Sequence, residues 1–248
     1  MRDYEFETKR RVRFIEDLLN SSGAEGIVYG NSGGKDSALV GILCKMACEN
    51  TVGIIMPCGS KRNYEADRTD AEMVARQYAI ATRVVDLAGV RNGLIDAITP
   101  TTSLTESALT NIAPRLRMTA LYAIAASENR LVAGTGNRSE SYLGYFTKWG
   151  DGACDFNVIN DLTVGEVLDF LRYLQAPPSI IDKAPSAGLF DGQTDEAELG
   201  LKYSSVDSFL LTGKTDDVDR LLIEKLHRST MHKRRMPMTF WESHNADQ

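Results

Sequence analysis

Short apolar runs alternate with amphipathic stretches along this chain, and the alternation predicts its elements. Residues 6–21 carry Val12, Ile15, Leu18 and Leu19 at helical spacing, so the chain opens on an amphipathic helix. The run Ile27-Val28-Tyr29 is a short apolar strand, residues 38–47 form the next helix, and 51–56 is a buried strand ending at Pro57. Residues 59–63 break the pattern before a helix over about 66–78 and a strand over 81–87. Helical character returns at 89–98. After the polar run TPTTSLTES, a long helix is predicted over 108–126, containing Asn111, Pro114, Arg115 and Arg117. Residues 130–133 form the last clear buried strand, and 162–174 a helix with Thr163 or Asp161 near its start. Short helices with acidic starts follow at 203–211 and 217–227. Apolar strands alternating with helices, without a repeated unit, predict an α/β fold with a mostly parallel sheet covered by helices on both faces.

Two stretches stand outside this alternation. Residues 175–201 are rich in proline, glycine and acids, and a connection this long inside a compact domain reads as a functional loop or a disordered linker. Leu189, Phe190 and Leu199 favour a mobile active-site loop over about 177–200, because they supply apolar anchors for its closed state. Residues 225–235 are basic, and 237–248 read as a poorly ordered terminus apart from Phe240 and Trp241.

Composition narrows the class. At 248 residues and 43% hydrophobic, the chain can bury one sizeable core, which predicts a single domain over 1–248. The net charge of −6 argues against coating nucleic acid while leaving room for a local phosphate site. No stretch approaches the about 18 apolar residues of a membrane span, and the first residues, MRDYEFETKRRVRF, lack an apolar export segment. Cys44, Cys48, Cys58 and Cys154 lack the paired spacing of a structural zinc site. A reduced, cytoplasmic protein is the simplest account.

The candidate chemistry lies at strand exits. Gly30-Asn31-Ser32-Gly33-Gly34-Lys35-Asp36-Ser37 leaves a strand through a glycine-rich turn as a helix begins, and exposed backbone N–H groups at a helix N-terminus cradle phosphate. Its spacing is neither GxxxxGK[ST] nor GxGxxG. Asp36 reads either as a ligand of a divalent cation that bridges phosphate oxygens or as a helix-capping carboxylate. Lys35 either neutralises phosphate or projects into water. A second exit, Gly134-Thr135-Gly136-Asn137-Arg138-Ser139-Glu140, offers Thr135 to a nucleotide and Glu140 either to the same cation or to the helix cap. In open α/β sheets ligands bind at such carboxyl ends. The mixed aromatic, cationic and acidic run from Tyr145 to Asp155 suits an aromatic nucleotide or pyridine group, or a Trp-anchored turn. His232 and Lys233 belong to a basic stretch that is either a phosphate clamp or a solvated patch.

The ordered set SGGKDS, NIAPRLRMTALY, GTGNRSE, GYFTKWGDGACD, KAPSAGLFDGQTDEAELG and MHKRRMP resembles the ammonia-dependent NAD synthetase family of the N-type ATP pyrophosphatases. SGGKDS alone marks only the wider group; the later segments select NAD synthetase, and together they cover nearly the whole chain. The resemblance implies a Rossmann-like, adenine nucleotide alpha hydrolase-like fold and a homodimer. It also implies conversion of deamido-NAD, ATP and ammonia into NAD, AMP and pyrophosphate through an adenylated nicotinate carboxylate. By the family pattern Gly30, Asn31, Ser32, Gly33, Gly34, Lys35, Asp36 and Ser37 bind the ATP phosphates, and Thr135, Val164 and Ser186 occupy further ATP-contact positions. Asp36 and Glu140 match the Mg²⁺ ligands. Arg115, Lys148, Asp155, His232 and Lys233 match positions that bind deamido-NAD, partly across the dimer interface. Asp36, Glu140 and Lys148 are then the catalytic candidates.

Two residues depart from that pattern. Val164 stands where many members carry a lysine on an ATP phosphate and cannot make that charge-assisted bond. Lys35 stands where an apolar residue or glutamine is more frequent, and it is a candidate to compensate. No segment resembles a nitrilase-like glutaminase domain, so free ammonia is the expected nitrogen donor. A non-catalytic nucleotide-binding module and a ligase for another carboxylic acid are the competing classes, and a nucleic-acid role rests on the basic tail alone.

Overall fold

The computed structural model describes residues 2–59, 64–183 and 194–240. Its five strands are β1 (Gly26–Gly30), β2 (Thr51–Ile55), β3 (Ala81–Val84), β4 (Arg130–Gly134) and β5 (Phe156–Asn157). They form one sheet in the order β3-β2-β1-β4-β5 with every pair parallel. The longer helices are α1 (Tyr4–Ser22), α2 (Lys35–Ala47), α3 (Ala66–Gln77), α4 (Ala88–Ile98) and α5 (Glu106–Ser127). The chain continues through α6 (Arg138–Leu143), α7 (Val164–Tyr173), α8 (Pro178–Ile181), α9 (Asp195–Leu199), α10 (Tyr203–Thr212) and α11 (Asp217–Ser229).

Strand periodicity divides the core between the faces of the sheet. On β1, Ile27 and Tyr29 pack with Ile15 of α1, Leu39 and Leu43 of α2 and Phe170 of α7. Val28 points the other way and joins Ile54, Val132 and Leu121 of α5. Full burial of each such aliphatic side chain contributes about 1.5–3 kcal/mol, whereas exposed ion pairs such as Lys9–Glu5 contribute about 0–1 kcal/mol. The apolar faces therefore fix where β1 and β4 end. A third cluster joins Leu143, Val164, Tyr203, Val206 and Ile223 and ties α6, α7, α10 and α11 together.

Several boundaries differ from the sequence reading. β3 stops at Val84, and α2 starts three residues before the apolar run, with Gly34 as its N-cap. Thr163 is the cap of α7, in a reciprocal capping box with Glu166. The strand β5, with only two residues, is too short to show a period in the sequence; it pairs with β4 through Ala133–Phe156 and Gly134–Asn157. Within 175–201 the structure places α8 and α9; residues 184–193, with Ser186, Leu189 and Phe190, lie outside the described residues, as does Trp241. The four cysteines are free.

Tyr29 is a polar exception in the core. It is fully buried, and its hydroxyl has no hydrogen-bond partner among the described residues. It is fitted by small neighbours: a Cβ at Gly41 would collide with the ring's hydroxyl end, and one at Gly53 would lie 3.0 Å from it. An unpaired buried hydroxyl costs about 1–3 kcal/mol. Tyr29→Phe is therefore expected to raise unfolding free energy by about 1 kcal/mol, measured by urea denaturation; a loss of stability would reveal a hidden partner for the hydroxyl.

Candidate active site

The chain proceeds from β1 outward to β2 and β3, then crosses back to β4 on the other side of β1. This reversal opens a crevice at the carboxyl ends of adjacent strands. Both glycine-rich exits lead into it, and they border a cavity of about 710 Å³. That size suits a nucleotide-scale ligand.

The first exit is shaped by Gly33, whose φ of 72° is left-handed. A Cβ there would run into the Asp67 backbone carbonyl, so the turn lies directly against α3. No side chain caps α2, which leaves its N-terminus for an anion. Ser32 Oγ lies 3.1 Å from Ser37 Oγ, and Gly34 N–H donates to Ser32 Oγ at 3.3 Å. Asn31 is buried and donates to the Ala71 carbonyl at 3.2 Å, which braces the turn from below.

Asp36 is not the cap. Its Oδ1 accepts from Asn137 Nδ2 at 3.0 Å and its Oδ2 from Lys35 Nζ at 2.9 Å. Asn137 is the cap of α6, in a box whose other half is Glu140, and Asn137 N–H donates to Glu140 Oε2 at 3.2 Å. One residue thus positions both carboxylates, and Glu140 caps a helix and faces Asp36 at once. Burial lifts the Glu140 carboxyl well above its ordinary range, and the Asp36 charge adds to the lift, against Lys35. Lys35 does not project into water: it is 6% exposed.

Glu140→Gln keeps an acceptor for the cap and removes the charge. A carboxyl that holds its proton more tightly folded than unfolded costs the fold stability as pH rises from about 4.5 through the raised folded value. In the ligand-free chain the variant is expected to melt about 2–4 °C higher near neutral pH, with the gain vanishing toward about pH 4.5. Scanning calorimetry across that range checks it, and a gain independent of pH would remove the charge conflict as its cause.

The remaining predicted residues fall into three places. Thr135 and Lys233 line the cavity, and Lys233 Nζ donates to the Gly144 and Phe146 carbonyls, each at 2.8 Å. Burial pulls the Lys233 ammonium below its usual value. Arg115, Lys148 and His232 do not line the cavity, although their chain neighbours Pro114, Thr147 and Lys233 do: Arg115 Nε donates to the Lys148 carbonyl at 3.4 Å, and Lys148 Nζ to the carbonyls of His232 and Arg235 at 2.6 and 2.9 Å. These contacts stitch the carboxyl-terminal tail to the aromatic loop. Asp155 and Val164 sit away from the cavity wall. Asp155 accepts from Val132 N–H at 2.7 Å and from the Tyr122 hydroxyl at 3.1 Å, which anchors the loop to β4 and α5. Val164 is 4% exposed within the third apolar cluster, so its side chain is packing rather than a cavity contact.

Three cations among the described residues lining the cavity lie outside the sequence reading of the site: Arg68, Arg117 and Lys183. Lys183 Nζ lies 3.2 Å from the Gly33 carbonyl, 2.9 Å from Asp67 Oδ1 and 2.6 Å from Asp70 Oδ2, and it borders the cavity. Its partners stand more than a hundred positions away in sequence, and the only signal was its place at the head of the KAPSAGL run.

The chain matches the NAD synthase family over residues 7–237. The NH(3)-dependent NAD(+) synthetase of Carboxydothermus hydrogenoformans is 44% identical to it, over 95% of this chain and 97% of the relative. A solved NMN synthetase from Francisella tularensis superposes with a TM-score of 0.91 at 34% identity, covering 96% of this chain and 99% of that one. An NH3-dependent NAD synthetase from Campylobacter jejuni superposes with a TM-score of 0.79 at 30% identity, covering 97% and 100%. Nearly end to end, and with both strand exits in one crevice, the chain belongs to the NAD synthase family.

Proposed function

We propose that the chain amidates deamido-NAD with ammonia, forming NAD while ATP is cleaved to AMP and pyrophosphate. The observation that carries this is the meeting of the uncapped α2 N-terminus with the Asp36–Glu140 pair in one cavity. The nicotinate carboxylate attacks the α-phosphorus of ATP and expels pyrophosphate; ammonia then attacks the acyl-adenylate and releases AMP. The turn from Gly30 to Ser37 holds the phosphates, and Lys183 and Lys233 add charge at the rim. Ammonia is itself the nucleophile, so the protein's task is to orient it and exclude water from the adenylate. Arg115, Lys148 and His232 hold the dinucleotide, and Asp155 acts through the loop it anchors.

The donor set fits Mg²⁺, which binds through one or two carboxylates plus substrate phosphates rather than in an all-protein cage. Asp36 and Glu140 are hard oxygen donors placed side by side, and the described residues hold no cluster of three or more acid, histidine or cysteine ligands. When bound, the cation supplies neutralisation of the phosphate charge. The chain is read as a cytoplasmic homodimer, with deamido-NAD bound near the interface and all of 1–248 in one synthetase unit. Helix α4 supports the pairing: it buries no residue and presents Val90 and Leu94 to solvent.

A second reading has its own support, the higher TM-score with the NMN synthetase than with the NAD synthetase. On that reading the acceptor is the mononucleotide acid rather than the dinucleotide. Comparing kcat/KM for deamido-NAD and nicotinate mononucleotide, with Mg-ATP and ammonium, decides. Preference for deamido-NAD upholds the first reading, preference for the mononucleotide replaces it with the second, and turnover of neither overturns both.

A further inference from the structure

Lys35 occupies the first position of α2, yet its side chain turns inward. Its Nζ lies 5.9 Å from the centroid of the Tyr203 ring and 2.9 Å from Asp36 Oδ2. Burial disfavours its charge, and Asp36, Glu140 and Asp195 more than restore it, holding the ammonium protonated. Asp36 Oδ1 is taken by Asn137, which also holds Glu140 Oε2. The ammonium therefore sits on the Asp36 oxygen that the cap network leaves over. Buried carboxylates and a buried ammonium are each costly alone and tolerable together.

We propose that Lys35 is the resident counter-cation of the Asp36–Glu140 pair and that it exchanges with a divalent cation. The incoming cation takes Asp36 Oδ2, and the displaced ammonium turns to the phosphate oxygens of ATP. This rests on the metal reading given above. Two consequences follow from a single exchange. The cation must compete with a tethered ammonium when nucleotide is absent, so its affinity for the free chain is low. ATP supplies both oxygen ligands for the cation and a new partner for Lys35, so cation and nucleotide bind cooperatively. Lys35 thereby serves the phosphates despite Val164, by way of the carboxylate pair.

The test is Mn²⁺ binding to the full chain, followed by electron paramagnetic resonance, for the wild type and Lys35→Gln. Without nucleotide the variant is expected to bind Mn²⁺ about tenfold or more tightly. With a non-hydrolysable ATP analogue the two are expected to agree within about threefold, because Lys35 has then left Asp36 in the wild type. Equal affinities without nucleotide overturn the counter-cation role, and a gap that persists with the analogue overturns the exchange. No Mn²⁺ binding under any condition overturns the metal reading instead, so the two failures are distinguishable. If Lys35→Gln does not fold, the ¹⁵Nζ resonance of Lys35 in the wild type carries the test. It is expected to shift when Mg²⁺ and the analogue are added together, and an unmoved resonance overturns the exchange.

Discussion

Asp36→Asn is expected to lower ammonia-dependent NAD formation by about 10²–10³-fold while leaving deamido-NAD affinity within about threefold. The asparagine carbonyl can still accept from Asn137 Nδ2, so the link between the two strand exits survives. What disappears is the carboxylate charge that the proposal gives to the cation, together with the partner of Lys35. Charge stabilisation of departing pyrophosphate acts in the transition state, so the loss belongs in kcat rather than in acceptor binding. Pre-steady-state measurement of AMP formation, beside calorimetric titration of deamido-NAD, separates the two. Equal losses in both would mean that Asp36 holds the architecture of the site rather than serving its chemistry. Because Lys35 is left buried without its carboxylate, the thermal midpoint of the variant should be recorded in parallel.

Gly33→Ala is the second large effect. Alanine at φ 72° costs about 1–2 kcal/mol from backbone sterics alone. Its methyl group would also meet the Asp67 carbonyl and lie 3.2 Å from Ala71 N. These are backbone atoms of α3 and its start, so a rotamer change cannot relieve the clash; the turn must move off the helix. That movement displaces every N–H of the phosphate cradle, and a misplacement of about 1 Å costs about 10²-fold in rate. A destabilisation of about 2–4 kcal/mol is expected beside the lost activity. Gly34→Ala is the internal control for stability, since φ −97° and ψ 166° suit any residue and its nearest neighbour is Ser32 Oγ at 3.3 Å. If Gly33→Ala melts like Gly34→Ala, the turn is softer than its geometry implies.

Much of this site was legible before any coordinates. Ile27 to Tyr29 and 130–133 read as buried strands because they are short apolar runs ending in glycine, and they pair in the sheet as neighbours. Their exits therefore had to share a crevice. Motif spacing alone left Asp36 and Glu140 each open between metal ligand and cap; the structure makes Glu140 half of the Asn137 capping box, and it shows that Asp36 caps nothing, its Oδ1 accepting from Asn137 instead. Local pattern failed where the determining contact was long-range. Lys183 reaches Asp67 and Asp70 across the fold, and nothing near it in sequence marks that reach. Lys35 stays open between phosphate and water in the sequence because two of the groups that face it, the Tyr203 ring and the Asp195 charge, arrive from far along the chain. Val164 stands at a family ATP-contact position but departs from the lysine frequent there, and it packs with Leu143, Val206 and Ile223, in line with its inability to make that lysine's phosphate bond. The strand β5 escaped because two residues are too few to show a period.

The most direct test of the account is product stoichiometry. Purified chain with deamido-NAD, Mg-ATP and ammonium is expected to yield NAD and AMP in a one-to-one ratio, each dependent on ammonium for turnover. Sustained AMP release without NAD, or NAD formation with ADP in place of AMP, would contradict it.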